Sequence, residues 1–373
     1  MKVPYFVPWI TSDDKKSVIR VMNQRWLTNG PTLKKFEEKI SSFVGSKYSV
    51  GVGSATHALH LCVKSLGIGP GDEVIVPTFT FAATANAVSY CGAEPILTDV
   101  DADSFNIAPK EIERNITRKT KAIIVVHYGG QACDMDAILS LSKKHGLDVI
   151  EDCAHSLGST YGNMKCGNMG IGGCFSFYPT KVITTGEGGM VTTNNFEIYK
   201  KMQSLKSHAM STLPTDRETK AQWRYDVMDL GYNYRLDEIR AALGLSQFSR
   251  INKINEMRKK IAKKYDEEIK KIRGISVPQI YSNRNHIYHL YTIKIEDDYH
   301  LNRDELFLKL HKHGIGASVQ YYPLHLMSYN KKKYRQRHKN FPVSNILKDK
   351  VLCLPIYPKM TSKQIQHVIA CLR

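Results

Sequence analysis

Phe175-Ser176-Phe177-Tyr178-Pro179-Thr180-Lys181-Val182-Ile183-Thr184-Thr185-Gly186-Glu187-Gly188-Gly189 is the stretch on which the reading of this 373-residue chain turns. It sets one lysine in a neutral turn, with aromatic and β-branched residues before it and a flexible Gly-Glu-Gly-Gly loop after it. A surface lysine usually stands among other charges, and Lys181 does not. Lost hydration lowers the pKa of an amine and supplies the unprotonated nitrogen that imine formation needs. The competing reading is an exposed loop lysine beside an ordinary glycine turn, because short motifs recur by chance.

Two further segments bear on that choice. Val149-Ile150-Glu151-Asp152-Cys153-Ala154-His155-Ser156 reads as a buried strand ending in an acidic pair and a small-residue turn. A strand-end aspartate followed by a lysine in an apolar turn suits pyridoxal phosphate (PLP), with Asp152 keeping the pyridine nitrogen protonated and Lys181 holding the aldehyde as an imine. Val50-Gly51-Val52-Gly53-Ser54-Ala55-Thr56-His57-Ala58-Leu59-His60-Leu61 reads as a strand, a glycine turn and a helix starting near Ser54. Free N–H groups and the positive end of a helix dipole favour a phosphate there, and the Ser54 and Thr56 hydroxyls add donors. Serine and threonine are also ordinary N-caps. The third glycine of a dinucleotide fingerprint is missing, which argues against a dehydrogenase.

With these segments in view, the chain resembles the DegT/DnrJ/StrS family of PLP-dependent nucleotide-sugar aminotransferases. The likeness runs almost end to end. It takes in Trp26-Leu27-Thr28-Asn29-Gly30-Pro31, Phe36-Glu37, Gly71-Asp72-Glu73-Val74-Ile75-Val76-Pro77-Thr78-Phe79-Thr80-Phe81 and Asp134-Met135-Asp136-Ala137-Ile138. After the Asp152 and Lys181 segments it continues through Gly231-Tyr232-Asn233-Tyr234-Arg235 and Tyr321-Tyr322-Pro323-Leu324-His325. The resemblance implies the α/β aspartate-aminotransferase-like architecture (PLP fold type I), a large domain with a mostly parallel central sheet plus a smaller C-terminal α/β domain. It implies that Lys181 carries PLP, that Asp152 pairs with the pyridine nitrogen and that Phe81 stacks on the ring. Ser54, Ala55, Thr56 and Ser176 would hold the phosphate, with Asn233 reaching it from the neighbouring subunit of a homodimer. His155 stands where many relatives have a glutamine against the ring hydroxyl, and its protonation would add a pH dependence. Thr28, Tyr178, Arg235, Tyr321 and His325 fall at substrate-side positions, and Gln320 stands where some relatives have a histidine facing the sugar.

The implied reaction moves an amino group, with glutamate as donor, through PLP and its amino form PMP to a nucleotide-linked keto sugar. The Trp26–Pro31 and Gly231–Arg235 segments look most like relatives that aminate C4 of a 4-keto-6-deoxyhexose, including the pseudaminic acid, perosamine and 4-aminoarabinose branches. C3-specific relatives differ there only modestly. A PLP-dependent sugar dehydratase would have histidine in place of Lys181 and is disfavoured. A non-enzymatic protein using its basic surface on nucleic acid is the reading from another class, and intact cofactor residues argue against it.

Composition agrees. A 42% apolar chain can bury a sizeable core. No apolar stretch is long enough to cross a bilayer, and Met1 to Ile10 is short, carries two prolines and runs into Asp13-Asp14, so a cytoplasmic protein is expected. The eight cysteines form no C-x-x-C pair or metal-ligand spacing, and no metal is expected. The net charge of +18 suits an acidic substrate, a membrane surface or nucleic acid. Much of it lies in Arg258 to Lys264, read as the solvated face of a helix, and in Lys331 to Lys339, read as a loop-like run. Aromatic residues are too sparse there for base stacking, so neither nucleic acid nor membrane is an expected partner.

Strand-like runs at Val74 to Val76, Ile123 to Val126 and Leu147 to Ile150 alternate with helical patterns at Ala82 to Tyr90 and Met135 to Lys144, which predicts a parallel sheet covered on both faces. Leu236 to Ile272 reads as long helices. The division is expected at 245/246, with residues 1–245 as the PLP-binding domain and 246–373 as the small one.

Overall fold

The computed structural model describes residues 1–212, 223–333 and 341–373. Seven strands form the central sheet: β1 (Tyr48–Val52), β2 (Glu73–Pro77), β3 (Glu94–Thr98), β4 (Thr120–Val126), β5 (Asp148–Asp152), β8 (Gly172–Ser176) and β9 (Gly189–Thr193). Between β5 and β8 lie the short strands β6 (Thr160–Tyr161) and β7 (Met164–Lys165), which join β11 (Arg284–Asn285) in a small sheet of their own. The central order is β1-β9-β8-β5-β4-β2-β3. β3, β2, β4, β5 and β8 are parallel neighbours, and β9 runs antiparallel to both β8 and β1.

The strands are apolar on both faces because helices cover both. Along β4, Ile123 and Val125 enter one core with Phe36, Ile40 and Ile138, whereas Ala122 and Ile124 enter the other with Leu59, Leu61 and Val88. Successive side chains of a strand point to opposite faces, so an uninterrupted apolar run feeds two cores at once. Helices α1 (Ser12–Met22), α2 (Pro31–Val44), α3 (Ala55–Ser65) and α4 (Ala82–Tyr90) belong to this lobe.

A second core surrounds the antiparallel sheet β10 (Ile275–Ser276), β12 (Tyr291–Ile295) and β13 (Val351–Leu354). Helix Ile251–Ile269 serves both lobes, since Ile254 packs in the large-lobe core and Ile261, Tyr265 and Ile269 pack in the small one. Val3 also lies in the small-lobe core, bridged to Ile315.

Two expectations are corrected here. Arg258, read as part of a solvated basic face, is 2% exposed. Its guanidinium donates to the carbonyls of Tyr288, His289 and Ile356, and burial draws its pKa down to about 10. Helical spacing places it on the same stripe as Ile254 and Ile261, which face protein. The basic run read as a loop starts inside helix Ser328–Lys333, and its residues 334–339 lie outside the described residues.

Candidate functional site

The site forms where β5, β8 and α3 converge. β5 ends on Asp152, paired in register with Cys174 of β8, and β8 ends on Ser176, paired with Gly189 of β9. The turn between β8 and β9 presents Lys181. It is held by the Lys181 N–H to the Tyr178 carbonyl (2.9 Å), Thr185 N–H to the Phe177 carbonyl (3.0 Å) and Thr184 Oγ1 to the same carbonyl (3.0 Å). Of the glycines expected to make this loop flexible, Gly186 sits at φ +79° with open space around it, whereas Gly188 and Gly189 are packed. A Cβ on Gly188 would lie 2.3 Å from Thr185 Oγ1, and one on Gly189 would lie 2.4 Å from the Ser54 carbonyl. They are small because other atoms occupy the space.

Lys181 is partly buried, and among the described residues its amine makes no ion pair. Desolvation lowers its pKa to about 8, against the opposing pull of the Asp152 charge. About a tenth of the amine is therefore unprotonated at pH 7, far more than for an ordinary lysine.

Asp152 is 5% exposed. Ala154 N–H donates to Oδ1 (3.1 Å) and Thr84 Oγ1 to Oδ2 (3.0 Å). Thr80 donates in turn to Thr84 (3.0 Å), whose own proton is committed to the carboxylate. Burial raises the Asp152 pKa, opposed by those two hydrogen bonds and then by the charge of Lys181.

Glu151 points the other way from β5. It accepts N–H groups from Gly167, Met169 and Gly170 and the Nε2–H of His127 (2.9 Å), whose Nδ1 accepts from Cys133 N–H. Burial alone would raise Glu151; the His127 hydrogen bond and the amides outweigh that and hold the carboxyl below its ordinary value. His127, Glu151 and Cys153 bring ligand-type atoms within 4.8 Å of one another. The imidazole nitrogens and carboxylate oxygens are already engaged, so this group buttresses the strand behind Asp152.

Ser54 is the N-cap of α3, its Oγ accepting the His57 N–H (3.2 Å). The amides of Ala55 and Thr56 start the helix, and among the described residues nothing accepts from them. Gly53 N–H to the Tyr234 carbonyl and a bridge from Val52 to Arg235 bring Arg235 to the same end of β1. Tyr234 stacks on His57 at 3.7 Å, and Asn233 between them and Tyr232 is exposed. Phe81 caps α4 and is 61% exposed, with the Tyr321 ring 6.3 Å away. Tyr178 is 48% exposed, and Thr28 is exposed and bridged to Asp237.

Two expected contacts are placed differently. His325 is 5% exposed, its Nδ1 engaged with Thr78 Oγ1 (2.8 Å) and its Nε2 with Asn345 Oδ1 (3.0 Å), so it ties the loop after β2 to helix Pro342–Lys350 instead of facing the opening. His155 is 3% exposed, packs on the His289 ring at 4.4 Å, and is held well below its ordinary pKa by burial and then by the charge of Lys181. A protonation step at neutral pH is thereby removed. Gln320 donates to the Tyr5 hydroxyl (3.1 Å), and its carbonyl accepts from Tyr128.

Sequence reasoning missed Thr84, Thr80 and His127. Threonines in a helix start look like caps, and nothing local ties His127 to Glu151 across two strands.

The model of the DegT/DnrJ/EryC1/StrS aminotransferase family matches residues 8–373. The spore coat polysaccharide biosynthesis protein SpsC of Bacillus subtilis is 37% identical, covering 100% of this chain and 96% of its own length. GDP-perosamine synthase of Caulobacter vibrioides is 33% identical, covering 100% of this chain and 97% of its own. Among solved structures, the PMP form of Spr1654 from Streptococcus pneumoniae superposes with a TM-score of 0.93 at 29% identity, covering 100% of this chain and 98% of that one. Its PLP form gives 0.92.

Proposed function

This chain belongs to the DegT/DnrJ/EryC1/StrS aminotransferase family and is a PLP-dependent sugar aminotransferase of fold type I, and we propose that it transfers an amino group from glutamate to C4 of a nucleotide-linked 4-keto-6-deoxyhexose. The observation that carries the site reading is Lys181, an amine with a pKa of about 8 facing a buried carboxylate with no cationic hydrogen-bond partner among the described residues. The residues fit the cofactor in three respects. Ala55 and Thr56 offer two unused amides to a phosphate. Asp152, raised by burial, gains from a cation such as a protonated ring nitrogen. Phe81 leaves an open aromatic face.

PLP, when bound, supplies an aldehyde that takes up the amino group and a ring that accepts an electron pair from the substrate carbon. Lys181 Nζ removes the proton from that carbon and returns it on the other side of the exchange, as base and then acid. Asp152 holds the proton at the ring nitrogen, and Thr84 and Ala154 hold Asp152. Ser54, Ala55, Thr56 and Ser176 orient the phosphate. Thr28, Tyr178, Arg235 and Tyr321 line the proposed substrate side.

Amination at C4 rests on the sequence likeness, and GDP-perosamine synthase, named for a GDP-linked amino sugar, stands in its favour. A homodimer is part of the proposal, with Asn233 completing the partner's phosphate site. Exposed Trp223, Met228 and Leu230, each more than half accessible, are side chains that a second subunit would cover.

The test is visible absorbance of wild type and Lys181→Ala with PLP, then glutamate, then keto-sugar nucleotides. Wild type gains a band that glutamate removes and only the true sugar restores; a wild type without the band refutes the reading. Mixed Lys181→Ala and Asn233→Ala subunits should regain one intact site per dimer, and no regain would refute sharing.

A further inference from the structure

His155 was expected to donate to the ring hydroxyl of the cofactor, and its hydrogen bonds point to a different donor. A neutral imidazole has one donor and one acceptor. The Gly129 N–H donates to Nδ1 of His155 at 3.3 Å, so the ring proton resides on Nε2. Nε2 lies 3.1 Å from the Tyr321 hydroxyl, which must therefore accept. The two rings are nearly parallel, 7° apart, which keeps the contact edge to edge. The hydrogen of Tyr321 cannot point back at His155, and among the described residues no other acceptor meets it.

What remains is the open side of the site. There the Phe81 ring lies 6.3 Å from that of Tyr321, and the Asp152 charge reaches the hydroxyl. Burial and then that charge hold Tyr321 above its ordinary pKa, so it stays a donor. Around it, burial pushes Cys353, Tyr128 and Tyr5 up and His155 and His289 down, which leaves Asp152 as the charge acting on Tyr321 and Lys181 as the charge acting on His155.

Resting on the PLP reading of the site, we propose that the Tyr321 hydroxyl, and not His155, donates to the phenolic oxygen of the cofactor ring, with His155 as a positioning residue that turns this donor toward it. The relay runs from Gly129 N–H through His155 to Tyr321 and into the site. A donor there stabilises negative charge on the ring oxygen, weakens that oxygen's hold on the proton of the Lys181 nitrogen, and so lowers the pH at which the nitrogen deprotonates. Hydrogen bonds to charged acceptors are the strong ones.

The experiment is a pH titration of the visible band of the PLP-loaded protein. Tyr321→Phe should raise the midpoint by about one to two units, the size of one lost charged hydrogen bond. His155→Leu should also raise it. His155→Gln should restore it, because an amide can accept from Gly129 and donate to Tyr321. With 3-deoxypyridoxal phosphate, which lacks the oxygen, wild type and Tyr321→Phe should bind equally, whereas PLP should bind Tyr321→Phe about tenfold more weakly or worse. An unmoved midpoint in Tyr321→Phe alongside a shift in His155→Leu makes His155 the donor and overturns the proposal. ¹⁵N spectra of labelled histidine in wild type need no variant: a His155 Nε2 signal alike with PLP and its deoxy analogue supports the relay, and one that follows the ring oxygen refutes it. A wild type with no visible band sinks the cofactor reading itself, a separate result.

Discussion

Gly189→Ala isolates what the contact between β9 and α3 does. The added methyl would lie 2.4 Å from the carbonyl carbon and oxygen of Ser54 and 2.7 Å from the Ala55 nitrogen. All three are backbone atoms at the start of the helix, so no side chain can swing aside. Carbon contacts settle near ~3.5 Å, and relief requires the strand and the helix start to separate by about 1 Å. That movement displaces the Ala55 and Thr56 amides. Losing one of them as a donor to phosphate costs about 1.5–3 kcal/mol, or roughly 10- to 150-fold in the PLP dissociation constant. Overpacking itself costs about 1–3 kcal/mol of stability, which a melting curve registers. Gly274→Ala is the control, because its methyl would meet Tyr299 N at 2.4 Å and its φ is +79°, yet it lies in the small lobe. Absorbance titration with PLP on both variants, alongside their melts, separates the effects. Both should melt lower and only Gly189→Ala should bind PLP weakly. Wild-type affinity in a destabilised Gly189→Ala would refute the argument that this approach sets the phosphate cradle.

Two further outcomes concern charge. Burial raises the Asp152 pKa, so the folded protein holds that proton more tightly than the unfolded chain; its contribution to stability is largest below the ordinary carboxylate range and falls as pH rises through the folded pKa. Thr84→Val removes one donor and raises that pKa further. Without PLP, its deficit in melting temperature against wild type should grow from pH 5 to pH 8, and an equal deficit at both would mark a packing defect instead. The rate at which Lys181 captures PLP should rise with pH around a midpoint of about 8. Asp152→Asn removes the charge that holds Lys181 up, so stopped-flow absorbance should find that midpoint lower, and an unchanged or higher midpoint would contradict the pairing.

Much of the molecule was legible from neighbours along the chain. The Ile123–Val126 part of strand β4 and the helix starting after Ser54 follow from apolar runs, a glycine turn and a capping residue, all interactions within a few residues. The Lys181 turn and the strand-end Asp152 were equally visible, because motif spacing reports local backbone. Glu151 was seen as half of an acidic pair, and strand alternation is what sends it away from Asp152.

What the chain alone determined, then, is the set of elements and the chemical types at their ends. Only the folded chain decided which partners those groups meet. Glu238 accepts the amides of Gly30, Thr32 and Leu33, more than 200 residues away, to start α2. Arg258 reads as one more surface cation until two lobes close over it. The proton of His155 takes its place from the Gly129 amide, and Thr84 reaches the strand-end Asp152 from helix α4. Burial and hydrogen-bond direction depend on atoms brought together by packing, and packing brings together residues whose separation in sequence carries no periodic signal.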